Sequence, residues 1–177
     1  MMALRLGPLG KILLVVAVLI VALVAVIGWL IWRRPLTVDA NVSRWALTRA
    51  GLTETVVQAP SGPMTVLEGG SGDETLVLLH GAGDQAGAWA RIVPSLVGHY
   101  RLVIPDLPGH WRSPPLEGPL HIRVVLEGVE ALVAAEAEAH PGERPPILVG
   151  NSMGAWVAML YAVDHPDAVS RIVAVNG

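Results

Sequence analysis

P-I-L-V-G-N-S-M-G-A-W-V-A-M-L-Y-A-V-D-H-P, residues Pro146 to Pro166, is the stretch whose reading decides the fold. Ile147-Leu148-Val149 is a short apolar run of the kind that forms a buried parallel strand. Gly150-Asn151-Ser152-Met153-Gly154 fits G-x-S-x-G. Ala155, Trp156, Ala158, Met159, Leu160 and Ala162 then predict a buried helix that stops where His165 meets Pro166. A serine hydroxyl is a weak nucleophile and must be held clear of its backbone, where a base can reach it. A sharp strand-to-helix turn does this at a strain of roughly 1–3 kcal/mol in Ser152. Side chains at positions 150 and 154 would crowd the turn, and glycine has none. The helix that follows aims free N–H groups and its positive dipole end at the reacting centre.

G-x-S-x-G alone says little in a chain with 19 glycines; an ordinary strand–turn–helix is the competing reading. The flanking strand and helix supply the context. On these residues the segment resembles the nucleophile elbow of the α/β-hydrolase family. A second landmark lies upstream. Thr75-Leu76-Val77-Leu78-Leu79 reads as a central strand, and His80-Gly81-Ala82-Gly83 follows it. The resemblance implies that this H-G-x-G turn supplies half of an oxyanion hole: the backbone N–H of Ala82, partnered by that of Met153. Two fixed donors would stabilise the anionic oxygen of a tetrahedral intermediate, and losing one costs about 3–4 kcal/mol of barrier. His80, Gly81 and Gly83 are then motif residues that shape the loop. After the strand Arg101–Pro105 comes Asp106-Leu107-Pro108-Gly109-His110, which also recurs in the family, with Asp106 and His110 read as parts of a hydrogen-bonded loop that buttresses the sheet and Gly109 as a motif residue. Trp111-Arg112-Ser113 departs from the glycine many members carry there, and Ala155 replaces another.

The remaining segments fit the same scheme. Thr53–Glu68 predicts a hairpin about Pro60-Ser61-Gly62-Pro63. A helix is expected from Asp84 or Gln85 to near Gly98, capped by Asp84. Leu116–Leu120 is a loop, and His121–His140 is a helix with Val124, Val125, Leu126, Val129, Leu132 and Val133 inward. Its Glu127, Glu130, Glu136 and Glu138 are expected mostly outward, as a solvated face and not a metal site. Val169–Asn176 is a last apolar strand. Strands alternating with helices predict an α/β fold, a mostly parallel sheet with flanking helices.

Composition narrows the class. Hydrophobic residues make up 53% and charged residues 15% of the 177, against roughly 25% charged in soluble domains. A net charge of −3 leaves no basic footprint for nucleic acid. With no cysteine, disulfides and thiolate metal sites are excluded, and no cofactor or metal is expected.

Much of the apolar excess is N-terminal. Ile12 to Trp32 carries no charge, is bounded by Lys11 and by Arg33-Arg34, and places Trp29 and Trp32 at an interface. A cleaved signal peptide would have a shorter apolar core of about 7–15 residues. The expected organisation is a tail and transmembrane anchor (residues 1–34), a juxtamembrane segment (35–52) and a partial hydrolase domain (53–177). Arg5, Lys11 and the amino terminus nearly balance Arg33 and Arg34, so orientation rests on the habit of short tails to stay inside. The globular part is then extracytoplasmic. Asp39–Ala50, with apolar points Val42, Trp45 and Leu47, reads as an amphipathic helix that lies either on the bilayer or against the domain.

A serine hydrolase also needs a base and an acid that orients it. After Ser152 stand only Asp164, His165 and Asp167, roughly 15–20 Å up the elbow helix by helical rise, beyond hydrogen-bond reach. His80, His99, His110, His121 and His140 all precede the serine, and His110 is the nearest to a substitute. The expectation is a domain truncated after the strand that follows the elbow helix, with acid and histidine beyond Gly177. The functional expectation is a membrane-anchored serine hydrolase, esterase- or lipase-like, working through an acyl-enzyme on Ser152. A lipid-derived ester suits an anchored domain. The alternatives are an inactive tethered fragment or binding module, and a carbon–carbon bond hydrolase, whose elbow G-N-S-M-G resembles.

Overall fold

The computed structural model describes residues 7–114 and 118–176. The expected loop at Leu116–Leu120 and the role given to Arg5 fall partly or wholly outside them. The chain divides into two units between Asp39 and Ala40.

In the first unit, α1 (Pro8–Arg33) is a 26-residue helix with no buried residue. Its apolar side chains point outward all round, and at about 1.5 Å per residue it is long enough to cross a hydrocarbon core. Arg33 stacks over Trp29 at 5.1 Å. Pro35 lacks an N–H and starts a new helix, α2 (Pro35–Arg49).

The second unit begins within α2. Ala40, Arg44 and Leu47 are buried, at a spacing that puts them on one helical face. The two options for this helix are therefore resolved by Leu47, which is fully buried against the domain. Val42 and Trp45 are on the exposed face. Then follow β1 (Thr53–Ala59), β2 (Gly62–Gly70), β3 (Thr75–Leu79), α3 (Val93–Leu96), β4 (Arg101–Pro105), α4 (Ile122–Ala139), β5 (Ile147–Asn151), α5 (Met153–Asp164) and β6 (Arg171–Val175). The six strands form one sheet in the order β1-β2-β4-β3-β5-β6. β1 and β2 pair antiparallel, as does β2 with β4. β4, β3, β5 and β6 run parallel.

The central strands are apolar without alternation because both faces of the sheet are covered. Val77, Leu79, Val103 and Leu148 pack with Val125, Val129 and Leu132 of α4 and with Val157 and Tyr161 of α5. Leu76, Leu78, Leu102 and Ile104 face the other way, onto Leu47, Trp89 and Val93. Each such buried aliphatic side chain contributes about 1.5–3 kcal/mol.

Three expectations need correction. The single helix from Asp84 to Gly98 is instead a 3-10 turn (Ala86–Trp89) and the one-turn α3. Pro94 cannot donate to the preceding turn and restarts the helix. Gln85, not Asp84, is the cap, accepting from the Gly87 N–H. On α4, Glu136 points inward. It lies on the stripe of Val129, Leu132 and Val133, and its carboxylate is met at 2.7 Å by Arg101 Nη2.

Candidate active site

The turn between β5 and α5 has the geometry its sequence demands. Ser152 takes φ 51° and ψ −113°, a left-handed conformation unusual for a residue with a side chain. Its hydroxyl is not spent on capping α5, and the residue is exposed. The backbone is secured instead: the Ser152 N–H donates to the Val175 carbonyl at 2.9 Å. The two glycines are there for close approach. A Cβ on Gly150 would run into the backbone of Gly154 and Ala155, and one on Gly154 into the carbonyls of Leu79 and His80. The elbow is thus wedged against the end of β3, where the second motif begins.

The His80–Gly83 turn passes directly beside the serine. A Cβ built on Gly81 would lie 3.6 Å from the Ser152 Cβ and 3.4 Å from Asn151 Nδ2. Gly83 takes φ 74°, and the Asp84 N–H closes the turn on Gly81 O at 3.3 Å. Ala82, Ser152 and Met153 line one cavity of about 680 Å³. Its walls are Leu120, Ile122, Val125, Trp156 and Met159, with His121 and Asn176 at polar positions. Asn176, at φ 51°, donates from Nδ2 to Asn151 Oδ1 at 3.2 Å.

His80 is fully buried and both its nitrogens are engaged. Nε2 accepts the Leu107 N–H at 2.9 Å, so Nδ1 carries the proton and donates to Gly81 O at 2.8 Å. Burial pushes its pKa below the ordinary 6.5, and the neighbouring His110 works the same way, against the opposing pull of the Gly81 carbonyl, Asp106 and Asp84. The ring is thus a neutral strut. An unfolded histidine takes a proton near pH 6.5 and this one only lower, so its stabilisation is complete above that pH and is lost as pH falls through the interval. Urea unfolding from about pH 8 down to about pH 5 should show stability declining below neutrality in the wild type, with a flatter profile in His80→Gln. An equal slope in both would contradict this.

Asp106, fully buried, is the other end of the same scaffold. Its Oδ1 accepts the Ala86 N–H at 2.8 Å and its Oδ2 takes Arg44 Nη1 at 2.9 Å. Gly109 turns the loop at φ 81°. His110, which the sequence places in the buttressing loop and which is only the nearest of the upstream histidines to a substitute base, is buried: Nδ1 meets Pro108 O at 3.0 Å and the ring stands edge-on to His80 at 5.0 Å. It is not among the residues lining the Ser152 cavity. His121 is. The motif pattern had no way to find it, because it precedes α4 in a loop without a signature. His165 ends α5 at the far side from Ser152, against Tyr161 and Glu130. Among the described residues no cluster of His, Asp or Glu could hold a metal ion. A smaller cavity of about 230 Å³ lies at the opposite end of the strands, lined by Thr75, Glu136, His140 and Asp167.

Comparison with known proteins places this geometry. The sequence model of the alpha/beta hydrolase fold matches residues 74–177. A 2-hydroxy-6-oxononadienedioate/2-hydroxy-6-oxononatrienedioate hydrolase of a Pseudomonas species is 32% identical over 135 residues, covering 75% of this chain and 47% of its own. This chain therefore spans about half the length of the curated relatives it matches. Among solved structures, a bacterial membrane phospholipase A described as a virulence factor superposes with a TM-score of 0.66 at 34% identity. That match covers 93% of this chain and 51% of the phospholipase. An epoxide hydrolase from an endophytic Streptomyces gives 0.59 at 25% identity, covering 70% and 37%. The mixed sheet, the turn at Ser152, the loop beside it and these likenesses agree, and the chain belongs to the alpha/beta hydrolase fold family.

Proposed function

We propose that this chain carries the nucleophile and oxyanion half of a membrane-anchored serine hydrolase that cleaves carboxylic esters with apolar acyl groups. The observation that carries the reading is Ser152: strained, exposed, its hydroxyl not used to cap α5, in an apolar cavity that Ala82 shares. The Ser152 Oγ would attack the ester carbonyl, giving its proton to a base. The N–H groups of Ala82 and Met153 would take up the negative charge on the carbonyl oxygen. Collapse would expel the alcohol and leave an acyl-enzyme, which water would hydrolyse. Family order places the acid and the histidine after the nucleophile, and this chain, spanning about half of its relatives, is assigned neither role.

The ester reading is preferred to carbon–carbon cleavage on electrostatic grounds. The Pseudomonas relative is named for a dicarboxylate. Among the described residues lining the Ser152 cavity there is no arginine or lysine, and the walls are aliphatic, Met and Trp. Such a surface suits an acyl chain and not a dianion. Anchoring is supported by α1 and by the phospholipase likeness, whose 93% coverage must reach into the first unit. In this reading residues 12–32 cross the bilayer once and the globular unit lies outside the cytoplasm.

The experiment is acid quenching of the full natural polypeptide during turnover of a p-nitrophenyl ester, followed by peptide mass spectrometry. An acyl adduct on the peptide containing Ser152 is expected. Turnover without an adduct on that peptide, or turnover of the dienedioate but of no ester, would overturn the reading.

A further inference from the structure

The loop that carries Ala82 is stapled at both ends to two consecutive residues. At its near end His80 accepts the Leu107 N–H, and at its far end the Ala86 N–H donates to Asp106 Oδ1. Asp106 is itself held. It is fully buried, and its second oxygen is met at 2.9 Å by Arg44 from α2, which is 5% exposed. Arg44 spends the rest of its fork on Glu54, with Nε at 2.9 Å and Nη2 at 2.8 Å from Oε2. A buried carboxylate keeps its charge and place only with such a partner. The adjacent residue of α2 makes a second link. Ser43 Oγ accepts from Gln85 Nε2 at 3.1 Å, and Gln85 Oε1 accepts the Gly87 N–H at 2.7 Å. Ser43 thus holds Gln85 directly, and Arg44 holds Ala86 through Asp106.

We propose that Arg44 is a positioning residue for the reaction: through Asp106 it fixes the far end of the oxyanion loop and so the placement of the Ala82 N–H opposite Ser152. The inference rests on the roles proposed above for Ser152 and Ala82. It makes the helix that follows the apolar span a working part of the active site. A fixed donor acts on the charge that develops in the transition state, so its displacement lowers turnover and leaves ground-state binding largely alone.

The test compares wild type, Arg44→Met and the double variant Arg44→Met with Asp106→Asn, each as the full natural polypeptide in detergent. In the double variant the Asn oxygen still accepts the Ala86 N–H, and no buried charge is left alone. For Arg44→Met, kcat on a p-nitrophenyl ester should fall about 10- to 100-fold with KM within about threefold. The double variant should recover most of that loss. Wild-type kcat in Arg44→Met, a parallel loss in kcat and rise in KM, or a double variant as slow as the single would each overturn the inference. Should Arg44→Met not fold, Arg44→Lys carries the test. It keeps a cation beside Asp106 but cannot span both carboxylates, and a drop in kcat of about fivefold or more at unchanged KM is expected. Wild-type kcat there would overturn it. Active-site titration separates the two proposals: if the wild type turns over without acylating Ser152, the proposed reaction fails first. If it acylates Ser152 and the Arg44 variants keep its kcat, only the positioning role fails.

Discussion

In Ser152→Ala, ester turnover by the full natural polypeptide falls by about a millionfold, to what the remaining site achieves without a nucleophile. The size of the effect follows from the turn. In the proposed reaction the strain at φ 51°, the glycines on either side and a hydroxyl not used to cap α5 serve one atom, the Ser152 Oγ. Removing that atom leaves the fold intact, because the fold is held there by the Ser152 N–H and not by its side chain. Unfolding midpoints of wild type and variant should therefore agree, with KM little changed. A variant that keeps more than about one per cent of wild-type kcat would mean that another group carries the reaction.

The second large effect falls on structure. A methyl at position 154 has nowhere to go: the atoms it would meet are the carbonyls of Leu79 and His80, backbone of a central strand that cannot swing aside. Overpacking against side chains typically costs 1–3 kcal/mol. Against backbone, Gly154→Ala should reach about 3 kcal/mol or more, read as a shift in urea midpoint. The damage should also be directional. Pushing α5 from β3 widens the gap between Ser152 and the His80–Gly83 turn, so acylation should slow in the fraction that remains folded. A midpoint within about 0.5 kcal/mol of wild type would show that the wedge yields more easily than its geometry indicates.

How far the sequence could be read depends on where the information sits. The elbow was legible because close backbone approach at positions 150 and 154 demands glycine, and the β3 turn because Gly83 takes a positive φ; glycine at fixed spacing is visible in one dimension. The central strands were legible because burial on both faces leaves continuous apolar runs, as in Thr75–Leu79. Pairs of charges were not. Arg44 looks like any helical arginine until Asp106 is found beside it, 62 residues away. Glu136 likewise passed for a solvated glutamate, although its spacing from Val129 and Leu132 placed it on the buried stripe, where Arg101 makes the position tolerable. His121 reached the Ser152 cavity from a loop with no motif, whereas His110, which had one, turned inward to pack on His80. A histidine's role is set by what faces its two nitrogens, and that is a property of the folded chain.

The most direct measurement of the central claim is labelling of the full natural polypeptide with a fluorophosphonate, which phosphonylates only a serine that is both activated and faced by oxyanion donors. The account predicts a single adduct, mapped to Ser152 by tandem mass spectrometry and absent after Ser152→Ala. An adduct on any other residue, or no adduct on a preparation that hydrolyses esters, would contradict it.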